Sequence, residues 1–94
     1  MFTYFKDLVP HPIYLKKRYD ERTSFTTITN LDLEIFFLNE TSSFFLNCVD
    51  SLKTINSIVD LFVEEYDVSK DVVSNDIIEL VRDLQWKKII VLNE

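Results

Sequence analysis

The chain contains no glycine among its 94 residues. Loops that bind nucleotide phosphates need glycine where the backbone approaches the anion closely, so the sequence excludes dinucleotide-binding and P-loop sites. Turns that require a positive φ angle must use another residue type. Asn30 and Asp32 are the predicted positions, because asparagine and aspartate tolerate that region better than most residues.

The length and composition predict one small globular domain. The chain is 47% hydrophobic and 28% charged, which provides enough apolar material for a packed core. No apolar run approaches the roughly 18–20 residues of a membrane span, and the N-terminus lacks the pattern of a signal peptide. We therefore expect a cytoplasmic protein that does not contact a membrane.

Residues suited to catalysis or metal binding are scarce. The single cysteine, Cys48, excludes an internal disulfide and a multi-thiolate zinc site, and the single histidine, His11, has no partner at metal-ligand spacing. Cys48 has no second histidine to activate it, and its helical position predicts a buried structural thiol. Solvation at a helix end explains the Glu64–Glu65 pair better than acid–base chemistry. The sequence predicts no catalytic residues, no metal and no cofactor.

Charge is distributed unevenly along the chain, whose net charge is −6. Residues 1–39 carry five basic and five acidic side chains, whereas residues 40–94 carry five basic and eleven acidic ones. Nucleic-acid binding depends on neutralising phosphates, which the acidic second half would repel. A basic or uncharged partner surface fits this half better.

The first part of the chain predicts an extended segment followed by a three-stranded antiparallel meander. Prolines at positions 10 and 12 favour extended conformations in residues 1–12, an N-terminal lead-in to a single domain at residues 13–94. Residues 13–19, 25–29 and 34–38 are rich in β-branched and aromatic residues and are separated by short polar turns. The third run is almost continuously apolar, so we expect both of its faces to be covered.

The second part of the chain changes to helical periodicity. Asn39 and Ser69 are predicted N-caps of the first and third of three successive helices, and Thr54 is predicted to start the second; the third covers residues 70–85. Trp86 closes the third helix and is predicted to anchor the core, with a binding-groove wall as the alternative. Residues 89–92 predict a short closing strand. The apolar positions at helical spacing are Phe44, Phe45, Cys48, Val49, Leu52; Ile55, Ile58, Val59, Phe62, Val63; and Val73, Ile77, Leu80, Val81, Leu84.

This order predicts an α+β, winged-helix-like fold. In DNA-binding members of that class the third helix enters the major groove and needs basic residues. Here it carries Asp71, Asp76, Glu79 and Asp83 against Lys70 and Arg82 only, which disfavours DNA binding. The alternative is an open strand at residues 34–38, to which an extended peptide can add as another strand.

Several segments resemble the PqqD-like family. Residues 38–41 (LNET) followed by the helix at 44–49 are similar to its first-helix entry. The run TINSIVDLFVEEYDVS at residues 54–69 is similar to its second helix and exit, and residues 72–91 to its long third helix and closing segment. The resemblance covers roughly residues 13–92. The chain departs from the family at residues 51–53 (SLK), where members usually carry a glycine between the first two helices.

The resemblance implies a recognition element for ribosomally synthesised, post-translationally modified (RiPP) peptides. Such a stand-alone domain binds the leader segment of a precursor peptide, without catalysis. It delivers the precursor to a modifying enzyme such as a radical SAM maturase or a leader protease, for example in bacteriocin maturation. In the family the leader adds antiparallel to the third strand and lies beside the third helix. Carried onto this chain, the peptide-binding residues are Glu34, Ile35, Phe36, Phe37, Leu38, Val73, Asp76, Ile77, Leu80 and Asp83.

Competing interpretations stay open at the level of sequence. Phe36 and Leu80 could be ordinary core residues. A winged-helix DNA-binding regulator and a protein-docking module that never contacts a leader are the alternative functions. The apolar third strand could also pair with a second copy, giving a homodimer.

Overall fold

The computed structural model describes residues 5–23 and 25–93. The strands are β1 (Val9–Pro12), β2 (Lys16–Asp20), β3 (Phe25–Thr29), β4 (Ile35–Leu38) and β5 (Ile90–Asn93). The helices are α1 (Glu40–Cys48), α2 (Ile55–Tyr66) and α3 (Lys70–Trp86). The predicted α+β class, with a three-stranded antiparallel sheet followed by three helices and a closing strand, is confirmed.

The three-stranded sheet has the order β2-β3-β4. Both pairings are antiparallel, with Thr27 opposite Arg18 on one side and opposite Phe37 on the other. Directly opposed residues point to the same face of a sheet. Ile28 and Leu38 are buried on the inner face, against the helices, while the alternate residues point outward.

A second sheet, which the sequence did not predict, joins the two ends of the chain. β1 pairs antiparallel with β5, and Pro12 lies opposite Ile90. The predicted closing strand therefore forms, with residues 9–12 as its partner. Within the predicted lead-in, Phe5 is helical and Lys6 and Asp7 form a turn, which differs from the expected extended conformation. The expectation for residues 1–4 lies outside the described residues.

The predicted N-caps Asn39 and Ser69 are confirmed, and Thr54, where the second helix was predicted to start, is the N-cap of that helix. The side chains of Asn39, Thr54 and Ser69 each accept a hydrogen bond from a backbone N–H in the first turn of their helix. These bonds satisfy donors that have no partner within the helix. α3 extends one residue beyond its predicted end. α1 ends before Leu52, which lies exposed in the following loop and not on the apolar face where the periodicity placed it.

The tight turns are made without glycine, but not at the predicted positions. Leu33, Ser51, Asp67 and Lys88 adopt positive φ angles of 65°, 66°, 51° and 60°. Neither Asn30 nor Asp32 is among these residues. Asn30 is fully buried, and its side-chain carbonyl accepts hydrogen bonds from the backbone N–H groups of Asp32 and Glu34. The side chain of Asn30 thus organises the turn, and Leu33 takes the strained backbone conformation.

The core lies between the inner face of the sheet and the three helices. It is built mainly from aliphatic residues together with Phe45 and Phe62, and the Phe44 ring packs edge-on against Phe62 with centroids 4.7 Å apart. Two expectations are wrong. Trp86 is 85% exposed, so it does not anchor the core, and the outer side of β4 is uncovered, with Ile35 61% and Phe37 74% exposed. Cys48 is half-buried rather than fully buried.

Candidate functional site

Within residues 5–23 and 25–93, β4 pairs with β3 alone, which leaves one edge of the three-stranded sheet open. The Asn30 N–H donates to the Glu34 carbonyl at 3.0 Å. This bond shows which residues of β4 direct their backbone groups towards β3. In an antiparallel pair every second residue directs its N–H and C=O to the partner. Glu34, Phe36 and Leu38 therefore face β3. The N–H and C=O groups of Ile35 and Phe37 point into the open edge.

The end of α3 lies close to the inner side of this edge. The Nζ of Lys87 is 5.3 Å from the centroid of the half-buried Phe36 ring, and it forms an ion pair with Asp83 at 2.8 Å. The side-chain N–H group of Asn30 donates to the Lys87 carbonyl at 2.8 Å. These contacts connect the β3–β4 turn and the inner face of β4 to the C-terminal end of α3.

A cleft of about 600 Å³ begins directly after β4. Its walls come from the N-terminus of α1, the C-terminal end of α2 with Val68 in the loop that follows it, and one side of α3. The lining residues are Asn39, Thr41, Ser42, Phe62, Tyr66, Val68, Val73, Asp76, Ile77, Glu79, Leu80 and Asp83. We refer to this surface as the cleft.

Every α3 residue that the sequence predicted for peptide binding lines the cleft. Val73 and Ile77 are buried and form part of its floor, Leu80 is half-buried, and Asp76 and Asp83 are exposed at its rim. The strand residues 34–38 do not line it but lead into it through Asn39. Leu38 is itself buried, so Phe36 is the inner-face residue of β4 that remains partly accessible. The role of both groups in peptide binding remains a prediction.

Sequence reasoning missed the part of the cleft that α1 and α2 contribute. The sequence around residues 39–42 is typical of a helix N-terminus, and Phe62 lies at a position typical of the core. Neither pattern indicates a binding surface. The only available signal was the immediate succession of β4 and α1, which places the first turn of α1 at the end of the open edge.

The cleft is acidic. Among the described residues, Asp76 and Glu79 have no ion-pair partner, whereas Asp83 is paired with Lys87. Tyr66, on the opposite wall, has a raised pKa because its hydroxyl is partly desolvated and because Glu40 and Glu65 add negative charge nearby. A cationic group entering this region would be favoured electrostatically.

A smaller pocket of about 330 Å³ lies on the other side of α1. Tyr66 separates the two cavities, since it lines both. The remaining walls of the smaller pocket come from β2 through Tyr19, from α1, and from Glu65 of α2.

The described residues do not assemble a catalytic or metal centre. Burial raises the pKa of the Cys48 thiol, so it is protonated at neutral pH and is a poor nucleophile. No group of three histidine, cysteine, aspartate or glutamate side chains within residues 5–23 and 25–93 converges on a metal position. In the same part of the chain, none of the helices has the length and apolar character needed to cross a bilayer.

These elements define a small α+β domain in which an open strand edge leads into a cleft. A family model described as coenzyme PQQ synthesis protein D (PqqD) matches residues 17–90, from β2 to the start of β5. The chain belongs to this family, whose members are non-catalytic, peptide-binding accessory proteins that partner with a modifying enzyme. No curated protein and no solved structure matches the chain.

Proposed function

We propose that this protein is a stand-alone RiPP recognition element that binds the leader segment of a precursor peptide and presents it to a modifying enzyme. The observation that carries the proposal is the open edge of β4, which presents outward N–H and C=O groups at Ile35 and Phe37 and leads through Asn39 into the cleft. A leader that adds antiparallel to β4 extends the sheet by a fourth strand.

Strand addition places the leader in a defined register with the cleft. Neighbouring strands lie about 4.8 Å apart, and successive side chains of a strand point to opposite faces. Every second leader side chain therefore points to the inner side, where Phe36 and the end of α3 form the wall. Apolar leader residues at these positions pack against Phe36 and Leu80, and the chain continues over Asn39 into the cleft.

The energetic balance supports such a binding mode. A leader that is disordered when free requires about 2–5 kcal/mol to become ordered on binding. Each backbone hydrogen bond to Ile35 or Phe37 contributes about 0.5–1.5 kcal/mol. These bonds offset the ordering cost independently of leader sequence. Apolar contacts in the cleft then supply net affinity and the choice of register.

Charge adds specificity to this mode. Asp76 and Glu79 present unpaired carboxylates at the rim of the cleft, beside Asp83. Lysine or arginine residues of the leader meet these carboxylates at the surface, where ion pairs affect the association rate and partner choice more than the affinity.

The enzyme that receives the leader supplies the chemistry. A radical SAM maturase or a leader protease is the kind of partner that fits a recognition domain of this type, and a cytoplasmic location fits both. The protein itself contributes no covalent step and serves to bind and orient the precursor.

The proposal is tested by titrating the protein with the fluorescently labelled leader of the precursor encoded nearest to this gene. We expect saturable binding by anisotropy that persists at moderate salt, together with a change in the fluorescence of the exposed Trp86, which lies one turn beyond Asp83. A scrambled peptide and a random DNA duplex are the controls. Salt-sensitive binding of the duplex, with no binding of the leader, would instead favour the regulator interpretation.

The variant Leu80→Asp locates the binding site. Leu80 is half-buried, so the change places a charge in the cleft, and we expect leader affinity to fall by roughly 100-fold or more. Val72→Asp is the matched control, because Val72 is exposed on α3 and does not line the cleft. Both variants should retain a helical circular-dichroism spectrum. Equal leader affinity in the two variants would contradict the placement.

A further inference from the structure

The side of the three-stranded sheet that points away from the helices is uncovered. Its centre consists of threonines from β3 and apolar residues, and its margin on β2 is basic. We refer to these residues as the outer face: Lys16, Arg18, Phe25, Thr27, Thr29, Ile35 and Phe37. The register aligns Arg18, Thr27 and Phe37 in one row across the sheet, and Lys16, Thr29 and Ile35 in the next.

The charge of the outer face is opposite to that of the whole chain. Lys16 and Arg18 have no ion-pair partner among the described residues. Asp20, which also points outward, lies 3.9 Å from Arg22. The outer face therefore combines apolar surface with net positive charge, whereas the chain carries a net charge of −6 and the cleft is acidic.

We propose that the outer face docks the modifying enzyme, through an apolar patch on the enzyme that is bordered by acidic residues. This inference rests on the proposed leader-binding function. Charge complementarity carries it, because an acidic surface is attracted to Lys16 and Arg18 and repelled by the rest of the protein. Exposed apolar residues such as Phe37 supply the buried centre that such an interface needs.

The geometry of β4 allows both ligands to bind together. The side chains of Ile35 and Phe37 belong to the outer face, while their backbone groups point into the open edge. A leader strand added at that edge extends the outer face by one strand. An enzyme docked on the outer face then contacts the outward side chains of the bound leader, and the domain presents the leader directly to it.

Other occupants fit the outer face less well. A second copy stacked on it would bring like charges together, because the face is net positive. A lipid bilayer or a nucleic acid is anionic over an extended surface, so the excess of carboxylates elsewhere on the chain would repel it even where Lys16 and Arg18 attract it, whereas an enzyme needs acidic residues only at the border of one patch. The outer face is also small, because it consists of three strands of four or five residues. Its area is below the roughly 800 Å² that each partner buries in a stable complex, so we expect a weak and rapidly exchanging interface.

The probe for the test is the modifying enzyme encoded nearest to this gene, immobilised for biolayer interferometry. Arg18→Glu and Phe37→Ser should each weaken enzyme binding by about tenfold. The matched controls are Lys6→Glu, which makes the same change in charge at an exposed position, and Leu52→Ser, which removes an apolar side chain that is 81% exposed. Both controls should bind the enzyme within about twofold of the unsubstituted protein.

Leader binding by the same variants separates the two proposals. Arg18→Glu leaves the edge and the cleft intact, so its leader affinity should stay within about twofold. If the leader does not bind the unsubstituted protein but enzyme binding still depends on Arg18, the leader proposal fails and docking stands. If leader affinity falls in parallel with enzyme affinity, the residues belong to the leader site and the docking proposal is overturned.

Four further results would overturn the docking proposal. The first is leader binding without enzyme binding, and the second is enzyme binding that neither variant changes. The third is a dimer in sedimentation velocity that Phe37→Ser dissociates, which would assign the outer face to a second copy. The fourth is binding to phosphatidylglycerol vesicles or to duplex DNA that Arg18→Glu abolishes.

Discussion

β2 and β4 are the two edges of the same three-stranded sheet, and they present opposite surfaces. β2 carries three consecutive basic residues, Lys16, Lys17 and Arg18, all of them exposed. β4 has no charged residue between Ile35 and Leu38 and leads directly into the acidic cleft. Charged side chains on an edge strand oppose pairing with another chain, whereas an uncharged edge permits it. The difference favours β4 over β2 as the edge for the strand addition that we propose.

The two edges also differ in how they are attached to the helices, and in each case an asparagine makes the connection. On the β4 side, buried Asn30 donates to Glu34 and to the Lys87 carbonyl and accepts from two backbone N–H groups. On the β2 side, exposed Asn47 of α1 accepts one hydrogen bond from Lys17 at 2.9 Å. The β4 side is therefore joined to the end of α3 by a hydrogen bond from a buried side chain, whereas the hydrogen bond between β2 and α1 is exposed to solvent.

The largest effect that we expect is on stability, from Asn30→Ala. The change removes a buried side chain and leaves the Lys87 carbonyl and the Glu34 N–H without their partners, which should lower the free energy of unfolding by about 2–4 kcal/mol. Urea denaturation measures this loss. Asn47→Ala is the control and should change stability by less than about 0.5 kcal/mol. Similar losses in the two variants would show that the two attachments are equivalent.

Local signals were sufficient to predict most of the elements of this fold. Asn39, Thr54 and Ser69 cap their helices through contacts within three residues, so the helix starts could be identified without knowledge of the tertiary structure. Periodicity defined the buried side of α3, whereas the α3 residues that line the cleft were supplied by the resemblance to the PqqD-like family. These residues continue the buried side towards the solvent.

The errors arose where contacts between distant residues decide the outcome. Asn30 does not adopt a positive φ angle because its side chain bonds to Lys87, 57 positions along the chain, and Leu33 makes the turn instead. Trp86 lies at the last position of α3, where periodicity does not show whether the core extends that far. Pairing of β1 with β5 depends on how the chain ends meet, which neither segment specifies alone.

The next effect in size tests the open edge itself. Ile35→Pro removes an outward N–H group, and a proline at such a position leaves the ladder to β3 intact. We expect leader affinity to fall by roughly tenfold, measured by anisotropy, because a hydrogen bond is lost and the proline ring obstructs the added strand. Ile35→Ala removes the same side chain but keeps the N–H, so it should bind the leader nearly as well as the unsubstituted protein.

A proline on the other edge completes this comparison. The β3 residues that face β2 are Thr27 and Thr29, since Thr26 and Ile28 face β4, so Lys17 directs its N–H away from the sheet. Lys17→Pro should leave leader affinity unchanged if the leader adds only to β4. Weaker binding in Lys17→Pro than in Ile35→Pro would move the binding site to β2.

The smallest effect that we expect concerns the charge of the cleft. Asp76→Asn should weaken binding of a leader that contains lysine or arginine by about threefold at low salt, because an exposed ion pair contributes up to roughly 1 kcal/mol. The effect should disappear near 0.5 M salt, where the screening length falls below about 5 Å. Asp71→Asn, which makes the same change on α3 outside the cleft, is the control for titrations at both salt concentrations. An effect of Asp76→Asn that is equal at low and high salt would mean that Asp76 contacts the leader by a short hydrogen bond. In that case the cleft would select a particular side chain rather than positive charge in general. The contrast between the acidic β4 side and the basic β2 side would then matter less for leader recognition than the difference in their open backbone groups.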